Sequence, residues 1–172
     1  MSAADTDLPL VLVVDDKSNM VRLMAKVLRA DARVRTANRG AEALRILENE
    51  SVDVVLSDLR MPDMDGIEVL KRCKQLRPEA EFILMTAYAS VTTAIEALRL
   101  GAYDYLTKPF EPEAARAVVL RAIGRAATSL PESSPGSPPE EVLPGMLARS
   151  AAMRELSSLV RRVADSDATA LL

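Results

Sequence analysis

Three aspartates, a threonine and a lysine stand where apolar runs of this chain end. "LVLVV" (10–14) leads into Asp15 and Asp16, "VDVVLS" (52–57) into Asp58, "EFILM" (81–85) into Thr86, and "AYDYLT" (102–107) into Lys108 and Pro109. If the runs are parallel strands of one sheet, these ends meet, because open α/β sheets gather their ligands outside the carboxyl ends of the strands. Three carboxylates in one pocket repel each other unless a cation sits among them. Oxygen donors without His or Cys select a hard ion, Mg2+ or Mn2+. Mg2+ takes one or two carboxylates, keeps waters and shares phosphate oxygens, and Lys108 adds a fixed positive charge. Such a site stabilises a transferring phosphoryl group by positioning and charge neutralisation. A carboxylate within it can act as the nucleophile and become an aspartyl phosphate. Asp58 is the candidate, because it ends the middle run and precedes "LRMPDMDG" (59–66), a loop whose backbone can offer the metal another oxygen.

Taken singly, each residue has a plainer reading. An Asp pair after a strand can cap a helix, Asp58 can be a turn residue, Thr86 a strand end and Lys108-Pro109 a surface turn. Their joint occurrence, each at the end of a different run, is what points to chemistry.

Five strands and five helices have to position them. With "ARVRTA" (32–37) the apolar runs number five, and three are almost continuously apolar, as parallel strands covered on both faces are. Between them lie amphipathic patterns. Met20, Leu23, Met24, Val27 and Leu28 share one helical face, and Ala41, Leu44, Ile46 and Leu47 form a second. Ile67, Leu70 and Cys73 mark a third helix starting near Asp65. "SVTTAIEALRL" (90–100) opens on the N-cap residue Ser90 and stops at Gly101. "EPEAARAVVLRAIGRAA" (111–127) has Pro112 in its first turn and Ala115, Val118, Val119, Ala122 and Ile123 on its apolar face. The β-α alternation predicts an α/β fold: a doubly wound, five-stranded parallel sheet with helices on both faces.

Composition narrows the class. The 172 residues are 49% apolar and 27% charged, as in an ordinary globular protein. A net charge of −3 and an aromatic content of 3% argue against a nucleic-acid surface. There is one cysteine, Cys73, so no internal disulfide, and no histidine to serve as base, ligand or phosphocarrier. The acidic opening "MSAADTDLPL" lacks the features of a signal peptide, and no apolar stretch is long enough to span a membrane. The expected compartment is the cytoplasm.

Beyond residue 127 the chain changes character. Residues 128–146 are rich in Pro, Ser and Glu and read as a semi-extended linker. "ARSAAMRELSSLVRRVA" (148–164) reads as an amphipathic helix and "DATALL" (167–172) as the start of a strand, so residues 147–172 are expected to open a second domain.

The motifs "VVDD" (13–16), "LSDLRMPDMDG" (56–66), "LMTAYAS" (84–90) and "YDYLTKPF" (103–110) together resemble the receiver domain of two-component response regulators, over about residues 8–127. The resemblance implies a flavodoxin-like fold in which Asp58 accepts phosphate from a partner sensor histidine kinase. It implies that Asp16, Asp58 and the Arg60 backbone carbonyl ligate Mg2+, with Asp15 positioning the ion through water. It further implies that Lys108 contacts the phosphoryl group, that the bond to Pro109 is cis, and that Thr86 and Tyr105 move together as the switch. The tail "MLARSAAMRELSSLVRRVADSDATALL" (146–172) is similar to the opening of the AAA+ ATPase domain of sigma-54-dependent activators of the NtrC type. The chain holds no G-x-x-x-x-G-K-[ST] phosphate loop, so ATPase activity is not expected of it, and contacts with sigma-54 RNA polymerase and DNA are expected only through domains it lacks.

Three rival readings are weaker. A flavodoxin-like cofactor binder needs a phosphate-cradling loop after the first strand, where Asp15 and Asp16 would repel the phosphate. An aspartate phosphatase places its nucleophile after the first strand in a D-x-D pattern, whereas Asp58 follows the third. A stand-alone or kinase-linked phosphorelay receiver, acting only as a protein-interaction switch, is the main alternative to the activator. In the preferred reading, phosphorylation biases the fourth helix, fifth strand and fifth helix. Their charges (Arg99, Asp104, Glu111, Arg116) suggest a homodimer surface.

Overall fold

The computed structural model describes residues 8–87, 90–128, 140–143 and 146–148. Strands β1 (Leu10–Val14), β3 (Val54–Asp58) and β4 (Glu81–Thr86) are buried along their whole length. They occupy the middle of a sheet ordered β2-β1-β3-β4-β5, with β2 (Arg33–Ala37) and β5 (Asp104–Thr107) at its edges. Every neighbouring pair is parallel. Interior strands must bury both faces, which is why they carry the continuous apolar runs 10–14, 54–56 and 82–85, while β2 exposes Arg33, Arg35 and Thr36.

Alternation along each strand divides the core in two. Leu10, Leu12, Val14, Val55, Phe82 and Leu84 lie on one side, with Ala43, Leu47, Val69, Leu70, Ala94 and Ala97 from α2 (Gly40–Asn49), α3 (Gly66–Leu76) and α4 (Val91–Arg99). Val11, Val13, Val54, Leu56, Ile83 and Met85 lie on the other, with Met24, Leu28, Ala115 and Val119 from α1 (Ser18–Leu28) and α5 (Pro112–Thr128). The result is the doubly wound, flavodoxin-like α/β sandwich expected from the β-α alternation.

Local signals set several boundaries. The Asp65 carboxylate caps α3 by accepting from the Ile67 N–H, and the Ser90 hydroxyl caps α4 by accepting from the Thr93 N–H. Gly101 ends α4 at a φ of 85°, a conformation that disfavours a side chain. Two helical faces differ from expectation. In α1 the buried stripe is Val21, Met24 and Leu28, and Leu23 is 42% exposed, because it lies about 100° around the helix from Met24. In α2 the stripe is Gly40, Ala43 and Leu47, which turns Ala41 outward.

Residues Glu140–Leu143 (β6) and Met146–Ala148 (β7) pair as a two-stranded antiparallel sheet, across the end of the expected linker and the first two residues of the expected second domain. The expected helix over 148–164, beyond Ala148, and the expected strand over 167–172 lie outside the described residues. Among the described residues, no helix is long and apolar enough to cross a membrane.

The β order fixes where a site can form. From β1 the chain steps to β2 on one side and β3 on the other, so a crevice opens over the carboxyl ends of β1 and β3. Val14 pairs with Ser57, which sets Asp15 and Asp58 level. Gly66 closes the loop behind Asp58: its N–H donates to the Leu59 carbonyl at 2.8 Å, and a Cβ there would stand 2.4 Å from the Asp58 carbonyl oxygen. Backbone cannot yield as a side-chain tip can, so Gly66→Ala should cost about 1–3 kcal/mol by overpacking. Gly124, inside α5, has open space at the same position. Gly124→Ala should therefore gain about 0.5–1 kcal/mol from helix propensity. Denaturant unfolding of both variants checks the opposite signs.

Candidate functional site

Asp15, Asp16 and Asp58 each offer a carboxylate oxygen within 4.8 Å of the others. Asp15 is fully buried, Asp58 nearly so, and Asp16 exposed. Lys108 reaches across from the end of β5. Its Nζ donates to Asp15 Oδ2 at 2.6 Å and to Asp58 Oδ1 at 2.9 Å. The other Asp15 oxygen accepts from the Lys17 N–H at 2.8 Å. Asp15 thus keeps a counter-charge and a backbone donor, the two things a buried carboxylate requires.

The loops place these groups by backbone bonds. The Lys108 N–H donates to the Thr86 carbonyl at 2.6 Å, tying the ends of β4 and β5, and the Lys108–Pro109 bond is cis. The Leu59 N–H donates to the Met85 carbonyl, carrying the ladder one residue past Asp58. Thr86 is buried at the tip of β4, and Arg60 follows Asp58 by two residues with its side chain exposed. Tyr105 lies buried on β5, its hydroxyl 3.2 Å from Thr93 Oγ1 on α4.

One lysine serves two carboxylates, and the proton affinities follow. Burial pushes the Asp58 carboxyl above the usual range, outweighing Lys108, and the charges of Asp15 and Asp16 add to the rise. Burial acts to lower Lys108, but its bonds to Asp15 and Asp58 prevail and hold the ammonium above its ordinary value. The ammonium gains from two anions while Asp58 has only a share of one cation. The cluster therefore holds an excess of negative charge and oxygen donors alone, which suits a hard divalent cation.

Sequence reasoning brought Asp15, Asp16, Asp58, Thr86 and Lys108 to one edge of the sheet, and all five are there. Two contacts in their support escaped it. The Asn38 side-chain amide donates to the Asp15 carbonyl at 3.0 Å, and the Asp63 carboxylate accepts from the N–H groups of Gly40 and Ala41. Asp63 sits inside the "PDMDG" turn, but nothing in that turn says which backbone it will meet. Two of the four charges read on the suggested dimer face have partners within the chain. Arg99 and Glu111 are exposed, but Asp104 is buried, accepting from the Tyr105 N–H. Arg116 forms a two-pronged pair with Asp31, just beyond α1, at 2.8 and 2.9 Å.

Residues 11–120 match the response regulator receiver domain. The chain belongs to the response regulator receiver family. It is 42% identical over 163 residues to the transcriptional regulatory protein ZraR of Klebsiella oxytoca, covering 94% of this chain and 36% of that protein. It is 44% identical over 115 residues to the DNA-binding transcriptional regulator NtrC of Escherichia coli (strain K12), covering 66% of this chain and 24% of the relative. The chain thus spans about a third or less of the curated relatives it matches. A CheY-like receiver domain protein from Methanospirillum hungatei JF-1 superposes with a TM-score of 0.68 at 30% identity, over 70% of this chain and 98% of that one.

The receiver's acidic cluster has a consequence for stability. Because the Asp58 carboxyl titrates above its unfolded value, its ionised form destabilises the fold. That cost is absent below the ordinary aspartate value of 3.8, grows as pH rises from there towards the raised value, and is complete above it. In EDTA, Asp58→Asn should therefore melt at a higher temperature than wild type at pH 7, and the gain should disappear on acidification below pH 3.8. Thermal melts across that range measure it.

Proposed function

We propose that Asp58 is the phosphoryl acceptor of a two-component system, charged by a sensor histidine kinase in a reaction that depends on Mg2+ or Mn2+. The observation that carries this reading is the convergence of Asp15, Asp16 and Asp58 within 4.8 Å, with Lys108 bonded to Asp58. An Asp58 carboxylate oxygen forms the new P–O bond while the P–N bond of phosphohistidine breaks, and its electron pair leaves with the imidazole nitrogen. Asp16, Asp58 and the Arg60 carbonyl would ligate the ion, and Asp15 would orient it through a water. When bound, the ion offsets the charge on the phosphoryl oxygens. Lys108 contacts one phosphoryl oxygen while remaining paired with Asp15, and the Thr86 hydroxyl donates to another. The receiver acts as a signalling domain that assists its own phosphorylation and dephosphorylation.

The added phosphoryl group brings about 1.5 to 2 negative charges beside Thr86 and Lys108. Their rearrangement is read out by Tyr105 and by α4, β5 and α5, which form the face for homodimerisation. The similarity to ZraR runs over 163 residues, past the receiver, and favours a transcriptional activator over a stand-alone phosphorelay module. In that reading residues 128–146 link the receiver to an AAA+ domain opening at 147–172. Sigma-54 RNA polymerase and DNA are then engaged by further domains, in the cytoplasm.

Incubation with Mg2+ and a small phosphodonor, followed by peptide mass mapping, should find a hydroxylamine-labile adduct on Asp58. Asp58→Asn or EDTA should abolish it, and an adduct elsewhere would refute the assignment. Light scattering should show the molar mass of the chain doubling when Mg2+ and beryllofluoride are added together. An unchanged mass removes the dimer switch but leaves phosphoryl acceptance standing.

A further inference from the structure

Two loops hold the acidic cluster, and a third, which offers it no ligand, lies against both. Residues 38–41, the β2–α2 turn with the first two residues of α2, touch the loop after β1 through Asn38, whose amide Nδ2 donates to the Asp15 carbonyl at 3.0 Å. They touch the loop after β3 through Asp63, whose Oδ1 accepts from the Gly40 N–H at 3.2 Å and whose Oδ2 accepts from the Ala41 N–H at 3.1 Å. The packing there is tight. A Cβ on Gly40 would lie 2.7 Å from Met64 Cβ. The Asn38 N–H is itself held by Glu42 Oε2 at 2.9 Å, which anchors the turn to the start of α2.

We infer that Asn38 and Asp63 are positioning residues that set the gap between the Asp15–Asp16 loop and the Arg60 loop, and thereby the affinity of the acidic cluster for a divalent cation. The inference rests on the metal-dependent reading of the site. The physical argument is one of restoring force. Like charges on Asp15, Asp16 and Asp58 push the two loops apart, and Lys108 opposes this only from the β5 side. The β2–α2 turn resists it from the opposite edge of the sheet, donating to a backbone carbonyl on one loop and to a carboxylate on the other. Asp63 gains the two α2 N–H groups as partners; burial acts to raise its carboxyl, but those bonds and the Arg39 charge hold it below the usual range, so it stays ionised in this role. Ligand spacing matters most to a small ion that demands near-ideal octahedral geometry.

The test is Mn2+ binding by the intact chain, followed through the EPR signal of the free ion, alongside the rate of Asp58 phosphorylation at saturating Mg2+. Asn38→Ala and Asp63→Ala should each weaken Mn2+ binding about tenfold, the lower end of what outer-shell partners of metal ligands cost. The saturating rate should fall by less than the affinity does. Asp63→Asn, which keeps one acceptor oxygen, should recover part of the loss. Arg77→Ala, which removes a 3.1 Å bond to the Leu47 carbonyl at the far end of α2, should lower the melting temperature without moving Mn2+ affinity. Wild-type affinity in both alanine variants, with only the melting temperature reduced, would make these residues plain helix caps and overturn the inference. A wild-type chain that binds no Mn2+ would instead overturn the reading of the site itself.

Discussion

Asp15 and Asp58 face a single ammonium, that of Lys108, from neighbouring strands. Two like charges about 4 Å apart repel by about 4 kcal/mol at an effective dielectric near 20. A domain of this size has a net stability of only about 5–15 kcal/mol. A fold that keeps such a pair must hold it by construction rather than by attraction between its members. The parallel register of β1 and β3 brings the carboxylates level, and the core packed beneath both strands prevents them from sliding apart. Lys108 arrives from two strands further along the sheet, pinned through its own N–H to the Thr86 carbonyl. The result is a charge imbalance that a rigid scaffold maintains, ready to be offset by something from outside.

The same scaffold places two further sets of bonds beside the cluster. Thr86 is the last residue of β4 and shares a backbone bond with Lys108, so the lysine that balances Asp58 is coupled to the end of that strand. On the next strand Tyr105 is packed inside, with its hydroxyl against Thr93. Thr93 in turn bonds Ser90, the cap of α4. A continuous set of hydrogen bonds and packed groups thus runs from the N-terminal turn of α4 to the ring of Tyr105.

Much of this was legible in the residues, and the exceptions have causes. Strand identity followed from apolar runs too short for helices, and the caps Asp65 and Ser90 could be read locally because a cap bonds its own first turn. Helical faces were less secure: Leu23 and Ala41 fit the apolar period but lie off the buried stripe, since the angle at which a helix sits on the sheet decides which side of a broad apolar face is covered. Two of the charges named on the suggested dimer face have partners that the sequence did not disclose, for a different reason. Asp104 and Arg116 are ionic by type, but Asp104 is folded back onto backbone and Arg116 finds Asp31 across 85 residues of sequence. A side chain's partners at that range depend on which elements the tertiary fold makes neighbours.

By itself the sequence determined the fold class and the set of polar residues at the strand tips, and the resemblance of its motifs pointed to the family. Fold class and strand-tip residues follow from periodicity and from residue type at fixed places in the β-α repeat, both written along the chain. Only the tertiary structure decided which carboxylate is buried and which exposed, that Lys108 is shared between Asp15 and Asp58, and that Asn38 and Asp63 brace the loops around them. Those facts depend on distances between segments far apart in sequence. Such distances are set when two helical layers close over one twisted sheet, and no local pattern contains them.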